Sequence, residues 1–476
     1  MAAQTELPIR LLSAALLTSA LLVGIVAGLN PPVAVALTLG LVFLIIAMVN
    51  ITAGICLFAL STFLETVLPA DAQGTLSAPK LLGLVLVLSW FALVTSGERE
   101  RRERLFSPPA FVLVLIAFVG WAAMSAAWAE DSGVAIDATT RFLPNAMLFL
   151  IVFAGVRTRE QLLWVVGSIV VGAVLSAVYG MVVGAPTDSM AAATPANEPE
   201  RVALGNANET AAALVTGGTL AAALAVALRG KPVLRLATTI AVPLCVFAVF
   251  LTLSRGGLLA LGASLIAAIV VAGRRRGAAL AVALCAVLAA VVYFGAFASV
   301  EARDRVLAVD GGTGRTDIWT VGWRMVEDHP LRGVGAGNFP TSSIHYLLEP
   351  GALLRDDFIV DTPKVAHNTY LSLLAELGVV GLALFLGVIG FSLWCAARAV
   401  RCAAQAGDRQ LDILSRAMIV VIVGLLAADF FGSREYSKLL WLLLSLCPVL
   451  LAISRAELSR RAVGADAERA PQALHE

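Results

Sequence analysis

Apolar and polar stretches alternate along most of the chain, and the apolar stretches are long. About 20 apolar residues in a helix cross a hydrocarbon core of roughly 30 Å. Helices also satisfy their own backbone hydrogen bonds, as a bilayer requires. We therefore predict an all-α fold, a polytopic bundle of 12–14 transmembrane helices. The candidate spans are roughly 11–29, 32–49, 50–68, 80–96, 109–128, 141–156, 160–184, 208–228, 232–253, 256–273, 277–297, 367–397, 412–431 and 437–454.

Composition agrees with an integral membrane protein. Hydrophobic residues make up 59% of the chain and charged residues 14%, whereas a soluble domain has about a quarter charged residues. The formal net charge of +1 gives no reason to expect a nucleic-acid partner, so the expected surroundings are membrane lipid. No Cx2C pair occurs among the six cysteines, which argues against a disulfide framework or a thiolate zinc site. The first apolar segment lacks a small-residue cleavage site, so we expect a retained helix.

The basic residues predict the orientation of the bundle. Short cytoplasmic loops collect Lys and Arg. With both termini in the cytoplasm, six basic clusters fall on the cytoplasmic side. They are Arg99/Arg101/Arg102/Arg104, Arg157/Arg159, Arg229/Lys231/Arg235, Arg274/Arg275/Arg276, Arg398/Arg401/Arg409 and Arg455/Arg460/Arg461.

Two outer loops follow from this orientation, a Gly/Pro/Ala-rich one at 185–207 and a large one at 298–366. The large loop carries seven basic and ten acidic residues, so it does not resemble a cytoplasmic anchor. We expect it to contain short helices. In one of them Trp319, Trp323 and Val326 share a face, as in a helix at the membrane interface or in a packed soluble helix.

Four regions follow from the predicted spans and loops. Residues 1–250 are N-terminal transmembrane helices, and 251–400 form a core that includes the large loop. Residues 401–454 are C-terminal transmembrane helices. The polar segment 455–476 is expected to be a disordered cytoplasmic tail.

Arg255 is a cation in an unusual place. It follows Leu251-Thr-Leu-Ser254 at the outer end of a span, with almost no loop before the next apolar run. An arginine there runs against the orientation rule, and it either reaches lipid phosphates or binds a phosphate as a ligand. A guanidinium holds two phosphate oxygens in fixed geometry. Ser254 is predicted to cap the next helix, whose N-terminus would face the same anion.

His367 opens the run His367-Asn-Thr-Tyr-Leu-Ser-Leu-Leu-Ala-Glu-Leu-Gly378 at the outer end of another span. A histidine at a membrane boundary is often only interfacial. The positive end of the following helix disfavours the imidazolium, and a general base must be neutral. Glu376 lies nine residues further on, where a carboxylate needs a partner inside the bundle, and it could be structural.

Two sites for nucleotides or metals are excluded. Gly333-Val-Gly-Ala-Gly337 resembles a dinucleotide fingerprint, but such a fingerprint needs a βαβ unit around it. These glycines lie instead in a loop that continues into Asn338-Phe-Pro340. The chain also contains no Asp-x-Asp pair, the usual metal clamp for nucleotide-sugar donors. We expect neither a metal nor another cofactor.

Four motifs follow one another between about residues 250 and 395. They are Thr252-Leu-Ser-Arg-Gly-Gly257, Gly314-Arg-Thr-Asp-Ile-Trp319, His329-Pro-Leu-Arg-Gly-Val-Gly-Ala-Gly-Asn-Phe339, and His367-Asn-Thr-Tyr370 with Ala375-Glu-Leu-Gly378. In this order they resemble the bacterial O-antigen ligase/polymerase family. The first 200 residues are similar only in being helical and hydrophobic.

The resemblance implies an inverting, metal-independent glycosyltransferase on the periplasmic face of the bacterial inner membrane. Its donor would be a glycan on a polyprenyl diphosphate. Two arginines and one histidine are functional in that family, and their motifs correspond to Arg255, Arg315 and His367. On this basis the arginines would bind the diphosphate, and the histidine would take the proton of the acceptor hydroxyl. Arg332 and Asp429 are further possible site residues.

Several functions remain open at this stage. The acceptor would be a lipid A core sugar in a ligase, another repeat unit in a polymerase, or a protein hydroxyl. The alternative outside the enzymes is a multi-span transporter or lipid flippase for a polysaccharide precursor. Transporters usually show internal repeats with paired broken helices, and no such repeat stands out. A long outer loop also suits acceptor binding better than transport.

Overall fold

The computed structural model describes residues 31–64, 78–96, 109–183, 206–307, 315–347 and 365–469, together with Gly24 and Gly28. Within these ranges every regular element is a helix, which confirms the predicted all-α class. The predicted loops 97–108 and 185–207 lie outside the described residues, except for 206 and 207, as does nearly all of the first predicted span. In the large loop 298–366, residues 308–314 and 348–364 are likewise outside them.

In the part of the chain that the structure describes, ten α-helices precede the large loop. They are α1 (Pro31–Val49), α2 (Ile51–Leu64), α3 (Ala78–Ser96), α4 (Pro109–Met124), α5 (Ser132–Gly155), α6 (Arg159–Val183), α7 (Ala207–Ala227), α8 (Pro232–Leu251), α9 (Arg255–Val271) and α10 (Arg276–Val292). A π-helical turn, Tyr293–Phe297, continues α10.

The remaining described helices belong to the large loop and the C-terminal part. Short helices α11 (Val300–Leu307), α12 (Arg315–Asp328) and α13 (Phe339–Leu347) occupy the loop, as predicted. They are followed by α14 (Thr369–Gln405), α15 (Arg409–Ala428) and α16 (Lys438–Arg469), with a 3-10 turn at Asp429–Phe431 after α15.

These helices agree with the predicted spans wherever the chain is described. Eight of them are long and apolar enough to cross a membrane, and five shorter apolar helices accompany them. The protein is therefore a multi-pass membrane protein. The largest shift at a helix start is in α5, which begins at Ser132 and not near 141. Asp131 explains the early start, because its carboxylate accepts a hydrogen bond from the Val134 N–H at 3.1 Å and caps the helix.

The expectation of a disordered tail after Ser454 is wrong for its first part. Helix α16 continues to Arg469. Glu457 stabilises this extension, because it pairs with Arg461 one turn later at 3.3 Å and with Arg159 of α6 at 3.9 Å. Charged pairs four residues apart support a helix even where it is polar. The sequence pattern indicated polarity, which does not by itself decide disorder.

Small residues allow the central helices to approach one another closely. Helix α7 packs against α6, α8, α9 and α15, and α14 packs against α15 and α16. A Cβ on Gly217 would lie 2.0 Å from the Ala173 Cβ, and one on Gly424 would lie 2.0 Å from the Ser264 Oγ. Close contact through glycine is how transmembrane helices gain packing energy without a hydrophobic driving force. The helices at the centre of the bundle therefore pack tightly, and the loops connect them at each end.

Ion pairs connect several of the basic clusters at one end of the bundle. Arg159 pairs with Asp408 and lies 3.9 Å from Glu457, and Arg275 lies 3.8 Å from Asp412. These contacts join the clusters near 159, 275, 409 and 460, as expected if they share one side of the membrane. The large loop is at the opposite end, because α9 to α10 and α14 to α15 each turn at the basic end.

Gly378 joins the large loop to the bundle. Its backbone lies in the left-handed region, at φ 68°, and interrupts α14. A Cβ there would lie 2.2 Å from the Leu331 carbonyl oxygen, so only glycine fits. At this break the Val379 N–H donates to the Pro330 carbonyl at 2.9 Å. The segment after α12 is thereby fixed against α14.

Candidate active site

Arg255 is the first residue of α9, and the start of that helix is built as predicted. The Ser254 hydroxyl accepts a hydrogen bond from the Gly257 N–H at 3.0 Å. The same hydroxyl donates to the Asn208 side chain at 2.5 Å, which ties the start of α9 to the start of α7. The predicted cap is confirmed. It places the half-buried Arg255 at the positive end of a helix.

Backbone strain marks two places beside the predicted site residues. Among the described residues, Leu253 (φ 51°) and His367 (φ 49°) are the non-glycine residues with positive φ. Such a conformation costs about 1–3 kcal/mol and survives where surrounding structure enforces it, often at functional sites. Leu253 lies two positions before Arg255, and His367 is itself a predicted site residue.

Arg315 begins α12 and approaches the same region. Its guanidinium carbon lies 5.9 Å from the centre of the Phe431 ring, within the range of a cation–π contact. Burial lowers the pKa of Arg315, and the nearby positive charge of Arg255 lowers it further. The two predicted arginines therefore lie close enough for their charges to interact, although 60 positions separate them in the chain. Two cations held together in this way favour an anionic ligand that lies between them.

Phe431 contacts several of the segments that carry or adjoin the predicted site residues. A Cβ on Gly256 would lie 3.0 Å from the Phe431 Cβ, so α9 contacts it directly. The Phe431 carbonyl accepts a hydrogen bond from the Asn208 side chain at 3.2 Å. Its ring lies beside both Arg315 and Trp319, with a ring separation of 6.3 Å for the latter. Phe431 thus joins the starts of α7, α9 and α12.

His367 reaches this assembly through the residues that flank it. The Trp319 indole N–H donates to the Ala366 carbonyl at 3.0 Å, which fixes the backbone immediately before His367. Asn368, immediately after it, caps α14 by accepting hydrogen bonds from the N–H groups of Tyr370 and Leu371. The half-buried imidazole therefore lies at the N-terminus of α14, as predicted. Arg255, Arg315 and His367 converge at one end of the bundle.

Asp429 stabilises the backbone near His367 through an ion pair. It is fully buried and pairs with Arg434, whose Nε donates to the Asp429 Oδ1 at 2.8 Å. The backbone N–H of Arg434 donates to the Thr369 hydroxyl at 2.9 Å, and that hydroxyl donates to the Gly432 carbonyl at 2.8 Å. Thr369 follows His367 by two residues. The Asp429–Arg434 pair therefore stabilises the backbone segment that follows His367.

Glu376 holds the glycine-rich loop. Its carboxylate accepts hydrogen bonds from the Gly337 N–H at 2.8 Å and the Phe339 N–H at 3.4 Å. Its backbone carbonyl accepts the Gly335 N–H at 2.8 Å. The glycines of this loop have positive φ, and their amides are used inside the protein. The loop is thus a docked connection, consistent with rejecting a dinucleotide site, and Glu376 contacts it.

Arg332 lies apart from the other two arginines. Its side chain is exposed and lines a cavity at the C-terminal end of α12, whereas Arg315 is at the N-terminal end. On the same helix the buried face is formed by Ile318, Val321 and Met325. Val326 is also buried, but Trp323 is 54% exposed. The face predicted from Trp319, Trp323 and Val326 is therefore split between the protein interior and the surface.

Within the described ranges, no group of three or more His, Cys, Asp or Glu side chains could hold a metal ion. The residues that sequence reasoning missed are Phe431, Asn208 and Arg434. A signal for Arg434 was present, because it lies between the last two spans, on the side where arginine runs against the orientation rule.

Residues 240–386 match the O-antigen ligase family. The match begins in α8 and ends in α14, so it contains Arg255, Arg315 and His367. The resemblance predicted from the motifs is confirmed over this region. Asp429 and Phe431 lie beyond it. No curated protein is significantly similar in sequence to the chain.

Proposed function

We propose, from the place of residues 240–386 in the O-antigen ligase family, that the protein is an inverting glycosyltransferase. It moves a glycan from a polyprenyl diphosphate carrier to an acceptor hydroxyl. The site lies on the periplasmic face of a bacterial inner membrane, the side opposite the basic clusters. The reaction uses arginines, and neither a metal nor another cofactor takes part.

The observation that carries this proposal is that Arg255, Arg315 and His367 lie at the same end of the bundle, on segments that contact Phe431 or its neighbour Gly432. Three helix starts contribute to the same place, at α9, α12 and α14. The Arg315 guanidinium lies 5.9 Å from the Phe431 ring, and the charge of Arg255 lowers its pKa. Two cations and an imidazole at one end of a membrane bundle suit a diphosphate and a hydroxyl.

Arg255 and Arg315 bind the diphosphate and stabilise it as it leaves the anomeric carbon. Negative charge develops on the departing oxygen in the transition state. Preorganised donors bind that charge more strongly than the ground state, which lowers the barrier and does not merely tighten binding. The α9 N-terminus adds backbone N–H groups next to Arg255. The arginines thus take the place that a metal ion occupies in many nucleotide-sugar enzymes.

His367 takes the proton from the acceptor hydroxyl. Its position at the N-terminus of α14 favours the neutral imidazole that this role requires. A general base of this kind accelerates a reaction about 10²–10⁴-fold. The alternative role for His367 is a hydrogen bond to the diphosphate, and the effect of pH on turnover separates the two.

An apolar cavity near the start of α9 suits the polyprenyl chain. It has a volume of about 510 Å³, lies between α8 and α10, and is lined by Pro243, Val246, Phe247, Phe250, Ala289, Val292, Tyr293 and Phe297. Phe250 precedes Arg255 by only five positions, so the cavity adjoins the start of α9. A lipid diphosphate could place its chain here and its charge at Arg255.

The acceptor is a lipid A core sugar, another repeat unit, or a protein hydroxyl. Deleting the gene distinguishes these classes. Loss of long-chain lipopolysaccharide with the polymer still present on its carrier indicates a ligase. Absence of the polymer itself indicates a polymerase, and a missing protein glycoform indicates the third class.

The arginine assignment is tested by Arg255→Lys and Arg315→Lys. Lysine keeps the charge but lacks the two-point geometry. Removing one preorganised donor typically costs about 2.7–4 kcal/mol, or about 10²–10³-fold in rate. We therefore expect each variant to insert normally and to lose transfer activity by about that factor.

The matched control is Arg235→Lys, an exposed arginine at the opposite end of α8, which we expect to retain activity. Transfer is measured as glycan moved from a purified lipid-linked donor. Near-normal turnover in Arg255→Lys or Arg315→Lys would assign that arginine to the lipid surface and not to the diphosphate.

A further inference from the structure

A second cavity, lined by charged, polar and aromatic side chains, lies at the far end of α12. Its volume is about 490 Å³, within the range of about 300–1,000 Å³ that is usual for small-ligand sites. Three segments of the chain enclose it: residues 128–130, residues 328–334 and helix α13. The lining residues are Trp128, Glu130, Asp328, His329, Arg332, Gly333, Val334, Ser342, His345 and Tyr346.

One wall of the cavity is held together by Glu130. Its carboxylate accepts a hydrogen bond from the Ser342 hydroxyl at 2.9 Å and lies 2.7 Å from the His345 Nε2. Next to it, the buried Asn338 exchanges two hydrogen bonds with the backbone of Asp131, at 2.9 and 3.1 Å. These contacts join the segment before α5 to α13, so the wall is preformed.

The floor of the cavity is the backbone that packs on α14. The Val334 N–H donates to the Ala375 carbonyl at 2.9 Å, and the Gly333 N–H donates to the His329 carbonyl at 2.9 Å. A Cβ on Gly333 would lie 2.3 Å from the Glu376 backbone. The floor therefore cannot shift without moving α14.

The charges of this cavity differ from those of the arginine site. Two carboxylates, Glu130 and Asp328, accompany one guanidinium, Arg332. The hydrogen bond from His345 lowers the pKa of Glu130, which keeps that carboxylate ionised. A diphosphate is disfavoured by two carboxylates, and a lipid chain is disfavoured by polar walls. A neutral ligand with many hydroxyl groups suits these walls, because hydroxyls donate to carboxylates and accept from arginine and histidine.

We propose that this cavity binds a sugar unit of the glycan substrate at a distance from the bond that reacts. The proposal rests on the transfer function proposed above. Glu130, Asp328, Arg332 and His345 supply the hydrogen-bonding groups, and Trp128 and Tyr346 supply aromatic surface. The sugar belongs either to the donor glycan or to the acceptor glycan, which share this chemistry.

The distance follows from α12 itself. Arg315 and Asp328 are the first and last residues of the helix, and a rise of 1.5 Å per residue separates them by about 20 Å. A sugar in the cavity therefore lies far from the diphosphate. Binding a remote part of a substrate helps to orient the reacting part. Loss of the cavity contacts should accordingly raise KM for one substrate.

The kinetic test compares Asp328→Asn and Arg332→Ala with Glu327→Gln. Glu327 is an exposed carboxylate beside Asp328 on the same helix and does not line the cavity. We expect each cavity variant to raise KM by about tenfold, the effect of losing one charge-assisted hydrogen bond, with kcat little changed. A change in KM for the donor alone assigns the sugar to the donor, and a change for the acceptor alone assigns it to the acceptor. Unchanged KM for both substrates would overturn the proposal.

A binding measurement separates this proposal from the proposed reaction. The probe is the repeat-unit oligosaccharide freed from its lipid carrier by mild acid, with the delipidated acceptor oligosaccharide in a second titration. Calorimetry with the full-length protein in detergent should show one of them binding to the wild type. Arg255→Lys should retain this binding, and the double variant Asp328→Asn/Arg332→Ala should weaken it at least tenfold. Binding that survives in the double variant, or no binding of either probe to the wild type, would reject the site. Intact binding in a protein without transfer activity would instead reject the proposed reaction alone.

Discussion

Separating the Asp429–Arg434 pair should destabilise the protein strongly. Asp429 is fully buried and Arg434 is 7% exposed. The guanidinium donates to one carboxylate oxygen through two nitrogens and to the Leu425 carbonyl at 2.9 Å. In Asp429→Leu the Arg434 guanidinium would stay buried, and of these acceptors only the Leu425 carbonyl would remain. In Arg434→Met the carboxylate would lose both donors.

Breaking a buried ion pair by removing one partner typically costs about 3–5 kcal/mol, because the remaining charge is left in a low dielectric. Replacing both partners by apolar side chains of similar size is often close to neutral. The double variant Asp429→Leu/Arg434→Met should therefore be much more stable than the sum of the single changes predicts. We expect a coupling free energy of about 3 kcal/mol or more.

The assay is a double-mutant cycle on the free energy of unfolding in mixed micelles. The exposed pair Asp137–Arg141 provides the control, because both side chains are about 60% exposed and lie four residues apart on α5. The same substitutions there, Asp137→Leu and Arg141→Met, should give a coupling of only about 0.3–0.5 kcal/mol. Transfer activity should fall in the Asp429 and Arg434 single variants, because Arg434 holds Thr369, two residues after His367.

A buried pair that couples no more strongly than the surface pair would refute this reasoning. It would mean that water reaches Arg434, or that the connection between α15 and α16 relaxes around the remaining charge. Full transfer activity in a single variant that is clearly destabilised would separately refute the link from Arg434 to His367.

Three further predictions concern pH and metals. His367→Ala should abolish transfer while donor affinity stays nearly unchanged. Wild-type turnover should fall on the acid side, near or below the pH of about 6.5 at which imidazoles ordinarily gain a proton, because the helix N-terminus disfavours the cation. Lost donor affinity with unchanged turnover would instead indicate a hydrogen bond to the diphosphate. Transfer should persist in excess EDTA, because arginines neutralise the diphosphate, and activity that EDTA removes and Mg²⁺ or Mn²⁺ restores would contradict this. Burial, and secondarily the charge of Glu376, raises the pKa of Glu435 to about 8. The folded protein therefore keeps a proton that the unfolded chain releases above about pH 4.5. The free energy of unfolding consequently falls as pH rises between these two values. Thermal unfolding of Glu435→Gln should therefore depend less on pH between 5 and 8 than that of the wild type, and an equal dependence would show that Glu435 is not buried as a neutral acid.

The fold class and the order of the described helices could be predicted from residue patterns along the chain. Long apolar runs predicted the spans, because a bilayer requires continuous apolar helices, and this requirement acts locally along the chain. Local chemistry also predicted the Ser254 cap and the helix that begins after His367. The motifs around Arg255, Arg315 and His367 predicted the match of residues 240–386 to the O-antigen ligase family. These features are readable because each depends on residues within a few positions of one another.

Which distant residues contact one another depends on how the helices pack. Phe431 joins the starts of α7, α9 and α12, although its partners Asn208, Gly256 and Arg315 are more than 100 positions away. Glu376 accepts hydrogen bonds from a loop, and Arg332 lies at the far end of α12 from Arg315. No pattern of neighbouring residues predicts these long-range contacts. Apolar periodicity fixes which segments are helices, but the packing of small residues between helices sets their neighbours and so the partners of each buried charge.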